Sequence, residues 1–312
     1  MWLIYPILTI IFWSVAEIFY KKGARDDEKY SHLKIDIFVG LVFGIHAILT
    51  ILIGHVEYDP VNIIKYLPVS FCYIFSMACS YYGIRYIEES VAGPIEESSG
   101  ATCAILLFLF FGERMHWISL IGVIFISIGV IFLGILESKS DNPKVKKYGK
   151  KLTIIAFAMP ITYMLFDAMG EVLDASYLDM ATTNLVNVTE ETIETIANLS
   201  YEFTFAILAI ILYVFIRIRK EKLGIIGQQD KLLAAIFETV GQYFYVFAMS
   251  ENPIISAPMI SSVCVFAVIL SRIFLKEKLS KKQYLAVTSV IIGIMLLGLA
   301  EGLSEAGIIS AE

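Results

Sequence analysis

Residues 94–137 read PIEESSGATCAILLFLFFGERMHWISLIGVIFISIGVIFLGILE, and residues 258–301 read PMISSVCVFAVILSRIFLKEKLSKKQYLAVTSVIIGIMLLGLAE. The second stretch follows the first by 164 positions without a gap. Twelve of the 44 pairs are identical, including Pro94 with Pro258, Ser98 with Ser262 and Glu113 with Glu277. Gly129 with Gly293, Gly134 with Gly298 and Glu137 with Glu301 belong to the same set. Apolar helices match Leu to Ile by composition alone, but they do not keep Pro, Gly and Glu in register. The chain is read as two copies of one design.

Composition sets the medium. Hydrophobic residues make up 58% of the 312 and charged residues 17%, well under the quarter typical of a soluble domain. The charges cluster between apolar runs of roughly 17–25 residues, the length that crosses a bilayer as a helix. Ten runs are predicted, near 2–20, 35–54, 61–84, 90–111, 115–136, 151–171, 201–218, 231–250, 253–275 and 283–300. The period-two alternation of a membrane barrel is absent. The first run lacks a basic leader and a cleavage site and carries Glu17, so it reads as a mature helix. Cys72, Cys79, Cys103 and Cys264 fall inside apolar runs without paired spacing and read as small core residues.

Basic residues are one-sided. The connections after runs 1, 3, 5, 7 and 9 hold 22 Lys or Arg, whereas the other connections and the termini hold only Lys65 and Arg114. That asymmetry predicts cytoplasmic loops over 21–34, 137–151, 217–231 and 272–282, with both termini and a 172–200 loop outside. Five helices per copy is an odd number, so the second copy must enter the membrane upside down. The fold expected is all-α and polytopic: ten transmembrane helices as two inverted five-helix repeats. Their bounds are 1–137 for the first repeat, 138–150 for a basic cytoplasmic linker, 151–301 for the second repeat and 302–312 for a short tail. Inverted repeats of this kind suit alternating access, with a site between two like halves.

A family resemblance rests on these same residues. The stretch 91–134, VAGPIEESSGATCAILLFLFFGERMHWISLIGVIFISIGVIFLG, resembles the EamA-type module of the drug/metabolite transporter superfamily. In that module a Pro-started helix runs to a Gly-Glu-Arg or Lys-Glu-Lys corner, and a Gly-spaced helix follows. Residues 257–298 fit the same description. The first helix, FWSVAEIFYKKGA, is similar to that of the small multidrug resistance branch, where Ala-Glu precedes a Lys. The resemblance covers helices 3–5 and 8–10 and hardly reaches helices 2 and 7. It implies a ten-helix carrier with a central cavity. Many relatives are expected to keep both termini in the cytoplasm, whereas the charges here put them outside.

Ionisable residues within membrane helices mark candidate sites, because they are costly to keep there. Aligning WSVAE with YMLFD sets Trp13 against Tyr163 and Glu17 against Asp167, an aromatic and an acid four residues on in each copy. Spacing of four puts each pair on one helix face. Such a pair suits an amine through ion pairing and cation–π attraction, and a desolvated carboxylate also trades its charge for a proton. Both acids lie off the midplane, so gating or interfacial pairing with Lys21 or Lys22 stands as the alternative. Glu238 is deeper, with Gln242 one turn on and Tyr245 just beyond, a polar stripe facing the bundle interior. Glu96 and Glu97 head helix 4 where the second copy has Ile260 and Ser261, which points to substrate or proton handling as much as to the helix dipole. Tyr81 and Tyr245 occupy matched positions that suit a pocket or core packing. Gly129, Gly134, Gly293 and Gly298 are assigned to close helix contact.

Other chemistries find no support. His32, His46, His55 and His116 lack metal spacing, and no phosphate loop or nucleophile elbow is present. Topology and lipid headgroups explain the basic loops without nucleic acid. Sequons at Asn187 and Asn198 fall outside in this topology, and 188–200 reads as a helical extension of helix 7 or a surface helix. The expected function is secondary transport of a small organic metabolite or amine, with protons as coupling ion, membrane lipids as surroundings, and no cofactor, metal or enzymatic activity. The alternatives are a neutral-metabolite or amino-acid exporter whose acids only gate, and a non-transporting scaffold or sensor.

Overall fold

The computed structural model describes residues 2–25, 27–86, 89–112, 114–138, 150–221, 223, 227–274 and 280–305. Glu113, Glu277, most of the 138–150 linker and most of the 302–312 tail lie outside the described residues, as do the side chains of Glu137 and Glu301 and the surroundings of Gly134. Among the described residues every element is a helix and no strand occurs. They are α1 (Ile4–Gly23), α2 (Ser31–Gly54), a short α3 (Val61–Lys65), α4 (Leu67–Gly83), α5 (Glu89–Glu96) and α6 (Ser99–Leu106), which a π-turn over Leu107–Phe111 continues. Then come α7 (Trp117–Ser138), α8 (Lys150–Leu178), α9 (Ile193–Ile218), α10 (Gln229–Glu251), α11 (Pro253–Ile260), α12 (Val263–Phe274) and α13 (Lys281–Glu305).

Seven helical rods among the described residues are long and apolar enough to cross a membrane, and Trp117–Leu133 of α7 adds a shorter apolar stretch. Their outer faces leave large apolar side chains uncovered: Ile53 is 75% exposed, Phe110 76% and Ile218 72%. Water would not tolerate so much apolar surface, so these faces meet lipid and the protein is an integral membrane protein. Two predicted segments are too short. The 151–171 run continues to Leu178, and the 201–218 run begins at Ile193, so the expected 172–200 loop shrinks to 179–192. Asp174 falls within that expected loop, yet it and Glu171, the last residue of the expected run, are both buried against the bundle. The same packing removes one sequon from the surface. Asn198 is buried and its amide donates to Glu202 Oε1 at 3.0 Å, whereas Asn187 is exposed.

The predicted runs 90–111 and 253–275 are each broken, and they break at equivalent places. α5 ends at Glu96 and α11 at Ile260; α6 begins at Ser99 and α12 at Val263, both steps of 164. In each copy the break is a tightened turn, with Ser98 N donating to Ile95 O at 3.3 Å and Ser262 N to Met259 O at 3.1 Å. The Ser98 hydroxyl also donates to the Ile95 carbonyl at 2.6 Å, competing with the helix for that acceptor. Pro94 and Pro258 sit inside the preceding turns and withhold a backbone donor there.

Four antiparallel helix pairs form the body: α1 with α10, α4 with α8, α2 with α9, and α7 with α13. Each joins a helix from the first half of the sequence to one from the second. Small residues set the closest approaches. A Cβ on Gly40 of α2 would lie 2.4 Å from the Phe205 carbonyl oxygen of α9. In α7 and α13, a Cβ on Gly122 would meet Gly293 O at 2.9 Å, and one on Gly129 would meet Ala286 O at 2.9 Å. These two contacts exchange under the 164-residue shift, and Ser289 Oγ donates at 2.8 Å to the carbonyl of its own mate, Phe125. Gly298, expected at such a contact, has nothing within 4 Å of its Cβ position. It lies on a face of α13 that α7 does not cover.

Glu28, in the turn between α1 and α2, ties the basic end together. Its carboxylate accepts from Lys231 Nζ at 2.9 Å and Gln228 Nε2 at 2.9 Å, and it pairs with Lys34. Arg85, just past α4, donates to the Glu28 carbonyl at 2.8 Å. Burial pushes the Glu28 carboxyl up, but the Lys34 and Lys231 hydrogen bonds outweigh it and hold the group at about 2.

Two outcomes are expected. Gly40→Ala should destabilise the purified protein by about 1–3 kcal/mol through overpacking, whereas Gly298→Ala should be neutral or stabilise by up to about 1 kcal/mol. Thermal unfolding in one detergent compares them. Because the folded Glu28 value lies below its ordinary one, its contribution is complete above about 4.5 and is lost as the pH falls toward about 2. The Tm gap between wild type and Glu28→Gln should therefore be constant from pH 8 to 6 and narrow below pH 4.5; a gap that widens with acid would contradict the assignment.

Candidate substrate cavity

All ten candidate site residues line one cavity of about 670 Å³. Trp13 and Glu17 enter it from α1, Tyr81 from α4, and Glu96 and Glu97 from the broken helix. Tyr163 and Asp167 come from α8, and Glu238, Gln242 and Tyr245 from α10. Glu96, Glu238, Tyr81, Gln242 and Tyr245 are buried; Trp13, Glu17, Glu97, Tyr163 and Asp167 are half-buried. Lys21 and Gln283 mark the end of the cavity nearest the basic loops, and Tyr73 with Tyr245 the opposite part.

The walls resolve into two carboxylate poles. At the first, Tyr20 OH donates to Glu238 Oε2 at 3.3 Å and the Trp13 indole N–H to the Glu238 carbonyl oxygen at 3.2 Å. Trp13 lies over Gly241, where a Cβ would fall 2.3 Å from its ring, and it stacks on Tyr245 with centroids 5.1 Å apart. The spacing of Trp13 and Glu17 suggested an aromatic serving its own helix's acid. The packing instead joins Trp13 to α10. Tyr20 in turn packs on Tyr81 at 4.9 Å.

The second pole belongs to α8. Asp167 accepts from Ser99 Oγ at 2.8 Å and from Ser76 Oγ at 3.4 Å, and Glu96 accepts from Ser80 Oγ at 2.8 Å. Hydroxyl donors compensate part of the cost of holding carboxylates away from water. Beyond Asp167, Tyr73 OH shares a 2.6 Å hydrogen bond with Tyr245 OH and donates to Asp174 Oδ2 at 3.4 Å; Tyr66 OH also donates to Asp174.

Sequence reasoning passed over Tyr20, Tyr73, Tyr201 and Glu171, all in the lining, and Asp174 behind it. A usable signal was present: Asp167, Glu171 and Asp174 are spaced i, i+4, i+7 and so share one helix face. Tyr20 sits beside Lys21 near the basic end of α1, and nothing in its local sequence points inward.

Among the described residues the charge balance of the lining is one-sided: Glu17, Glu96, Glu97, Asp167, Glu171 and Glu238 contribute six carboxylates against one lysine, Lys21. Among the described residues no group of three or more His, Cys, Asp or Glu is placed to hold a metal ion. Lys34, Arg85 and Lys231, though buried, are engaged at the basic end through Glu28.

No curated protein matches the chain by sequence. Among solved structures, one crystal structure superposes with a TM-score of 0.66 over 96% of this chain and 97% of that one, at 12% identity, a likeness of fold. The model of the EamA-like transporter family matches residues 1–135 and 181–299, leaving α8 between the two matched stretches. With lipid-facing helices around one acidic cavity, and that match across most of its length, the chain belongs to the EamA-like transporter family, membrane transporters of the drug/metabolite superfamily.

Proposed function

We propose that this transporter is a secondary carrier that moves a small cationic or zwitterionic organic metabolite by alternating access, coupled to protons through its intramembrane carboxylates. The observation that carries the reading is convergence. Ten residues selected by their chemistry, from five separate stretches of sequence, line one cavity together. Six carboxylates against one lysine favour a cation over a phosphate or carboxylate substrate, and the aromatic walls add cation–π attraction. A desolvated carboxylate is stabilised by a proton or by a substrate cation, and competition between the two is the basis of exchange.

In this reading ten helical rods span the membrane as two inverted repeats, 1–137 and 151–301, joined by the 138–150 linker. The antiparallel crossing of α7 and α13 supports the inversion, because those helices are mates and their contacts exchange under the 164-residue shift. The basic loops face the cytoplasm across the cell's inner membrane and both termini face outward, as the distribution of Lys and Arg requires.

Reconstituted vesicles test the reading. With a pH gradient imposed, wild type should accumulate at least one labelled amine or amino acid. Glu238→Gln should reduce that accumulation by about tenfold or more, the scale of one lost charge-assisted interaction. Uptake indifferent to the gradient removes proton coupling, and vesicles that move no amine, amino acid or sugar remove the carrier itself.

A further inference from the structure

The two poles of the cavity are built alike. Glu238, on the α1–α10 pair, has a hydroxyl donor in Tyr20 and an aromatic wall in Trp13. Asp167, on the α4–α8 pair, has hydroxyl donors in Ser99 and Ser76 and lies one turn from Tyr163, which also lines the cavity. These helix pairs are counterparts under the proposed repeat, although Glu238 and Asp167 are not themselves mates, since Asp167 aligns with Glu17; two similar acidic, aromatic poles thus share one space. Between them Met77, Ile260 and Val263 complete the lining with apolar surface.

A single ammonium group would serve one pole and leave the other carboxylate desolvated without a counter-charge, an arrangement membrane interiors penalise. A third group sharpens the imbalance. Glu171 is 4% exposed and lines the cavity, yet its Oε2 accepts a hydrogen bond from no group among the described residues. A buried carboxylate oxygen lacking a donor marks a place for one supplied from outside.

From this geometry we infer that the substrate is a short linear dication, an α,ω-diamine whose two ammonium ends engage Glu238 at one pole and Asp167 with Glu171 at the other. Its methylene chain lies along the apolar wall, and its near-symmetry matches that of the cavity. The inference rests on the cationic-substrate reading above and narrows it. A monoamine of the same length keeps one ion pair and the apolar contact, so the second ammonium is the whole difference between them.

Calorimetric titration of the purified wild-type protein in lipid nanodiscs decides the matter without any variant. The probes are 1,4-diaminobutane, n-butylamine and 4-aminobutyrate, followed by diamines from diaminoethane to diaminohexane. The diamine should bind about tenfold or more tighter than butylamine, with an optimum in chain length set by the separation of the poles. Glu238→Gln and Asp167→Asn should each bring the diamine down to the level of the monoamine. Equal binding of diamine and monoamine overturns the proposal, as does a variant that weakens both probes by the same factor. If neither amine binds while 4-aminobutyrate does, the dication falls while the broader reading survives as a zwitterion carrier; if none of the probes binds, that reading falls as well.

Discussion

A carboxylate inside a bilayer must find a donor, a cation or a proton, and this requirement organises the centre of the molecule. Glu238, Asp167 and Glu96 sit among helices whose outer faces are Ile, Leu and Phe, where an unpaired charge would be very costly. Each is met by a hydroxyl from a different helix: Tyr20, Ser99 and Ser80. The acids therefore act as fasteners as well as candidate binding groups. To reach them the chain must bring α1 to α10, α6 to α8, and α4 to the broken helix. The cavity is the space left where those partial neutralisations converge. The donors that meet them are neutral hydroxyls, so carboxyl groups dominate the polar lining among the described residues.

Close backbone approach makes this geometry rigid enough to hold. Every major antiparallel pair joins one helix from each half of the sequence, and the shortest approaches run through glycine. Interleaving has a mechanical consequence. The repeats are copies in sequence, but they are not separate bodies in space, so a picture of one half rocking against the other cannot be drawn along the 138–150 linker. α1 with α10 and α4 with α8 each carry one acidic pole, and they are the natural units on either side of the cavity.

Much of this was legible because periodicity and register are local properties. Pro94 and Pro258, the glycines of α7 and α13, and the acids in apolar runs could be read from spacing alone, and the polar stripe of Glu238, Gln242 and Tyr245 does face the cavity. What escaped depended on partners distant in sequence. Tyr20 becomes a cavity residue only because Glu238, 218 positions away, comes to its hydroxyl. Asp174 reads as part of the 172–200 loop because acids usually end a membrane run, yet it is held inside by hydroxyls from Tyr66 and Tyr73, about a hundred positions away in sequence. Asn198 follows the same logic, since Glu202 on its own helix claims the amide inside the bundle. Gly298 erred in the other direction: a repeated glycine marks a shared design, but only one of the two surfaces it could serve is covered.

The two ends of the bundle are closed by different chemistry, although the backbone repeats. At the basic end Glu28 receives Lys34, Lys231 and Gln228, a charge-assisted cluster tying α2 and α10 to the turn between α1 and α2. With its carboxyl held at about 2, Glu28 remains ionised at any physiological pH, so acidity does not protonate it there. At the other end the link between the α1–α10 and α4–α8 units is the Tyr73–Tyr245 hydroxyl pair, a neutral bond. Neutral hydrogen bonds contribute about 0.5–1.5 kcal/mol net and charge-assisted ones about 1.5–3. The closures are therefore unequal, and the tyrosine end is the weaker. In an inverted repeat the two opposite-facing states would be equivalent if the sequence were also symmetric. In the alternating-access reading proposed above, the asymmetry of Glu28 against Tyr73 and Tyr245 would make the two opposite-facing states unequal in energy.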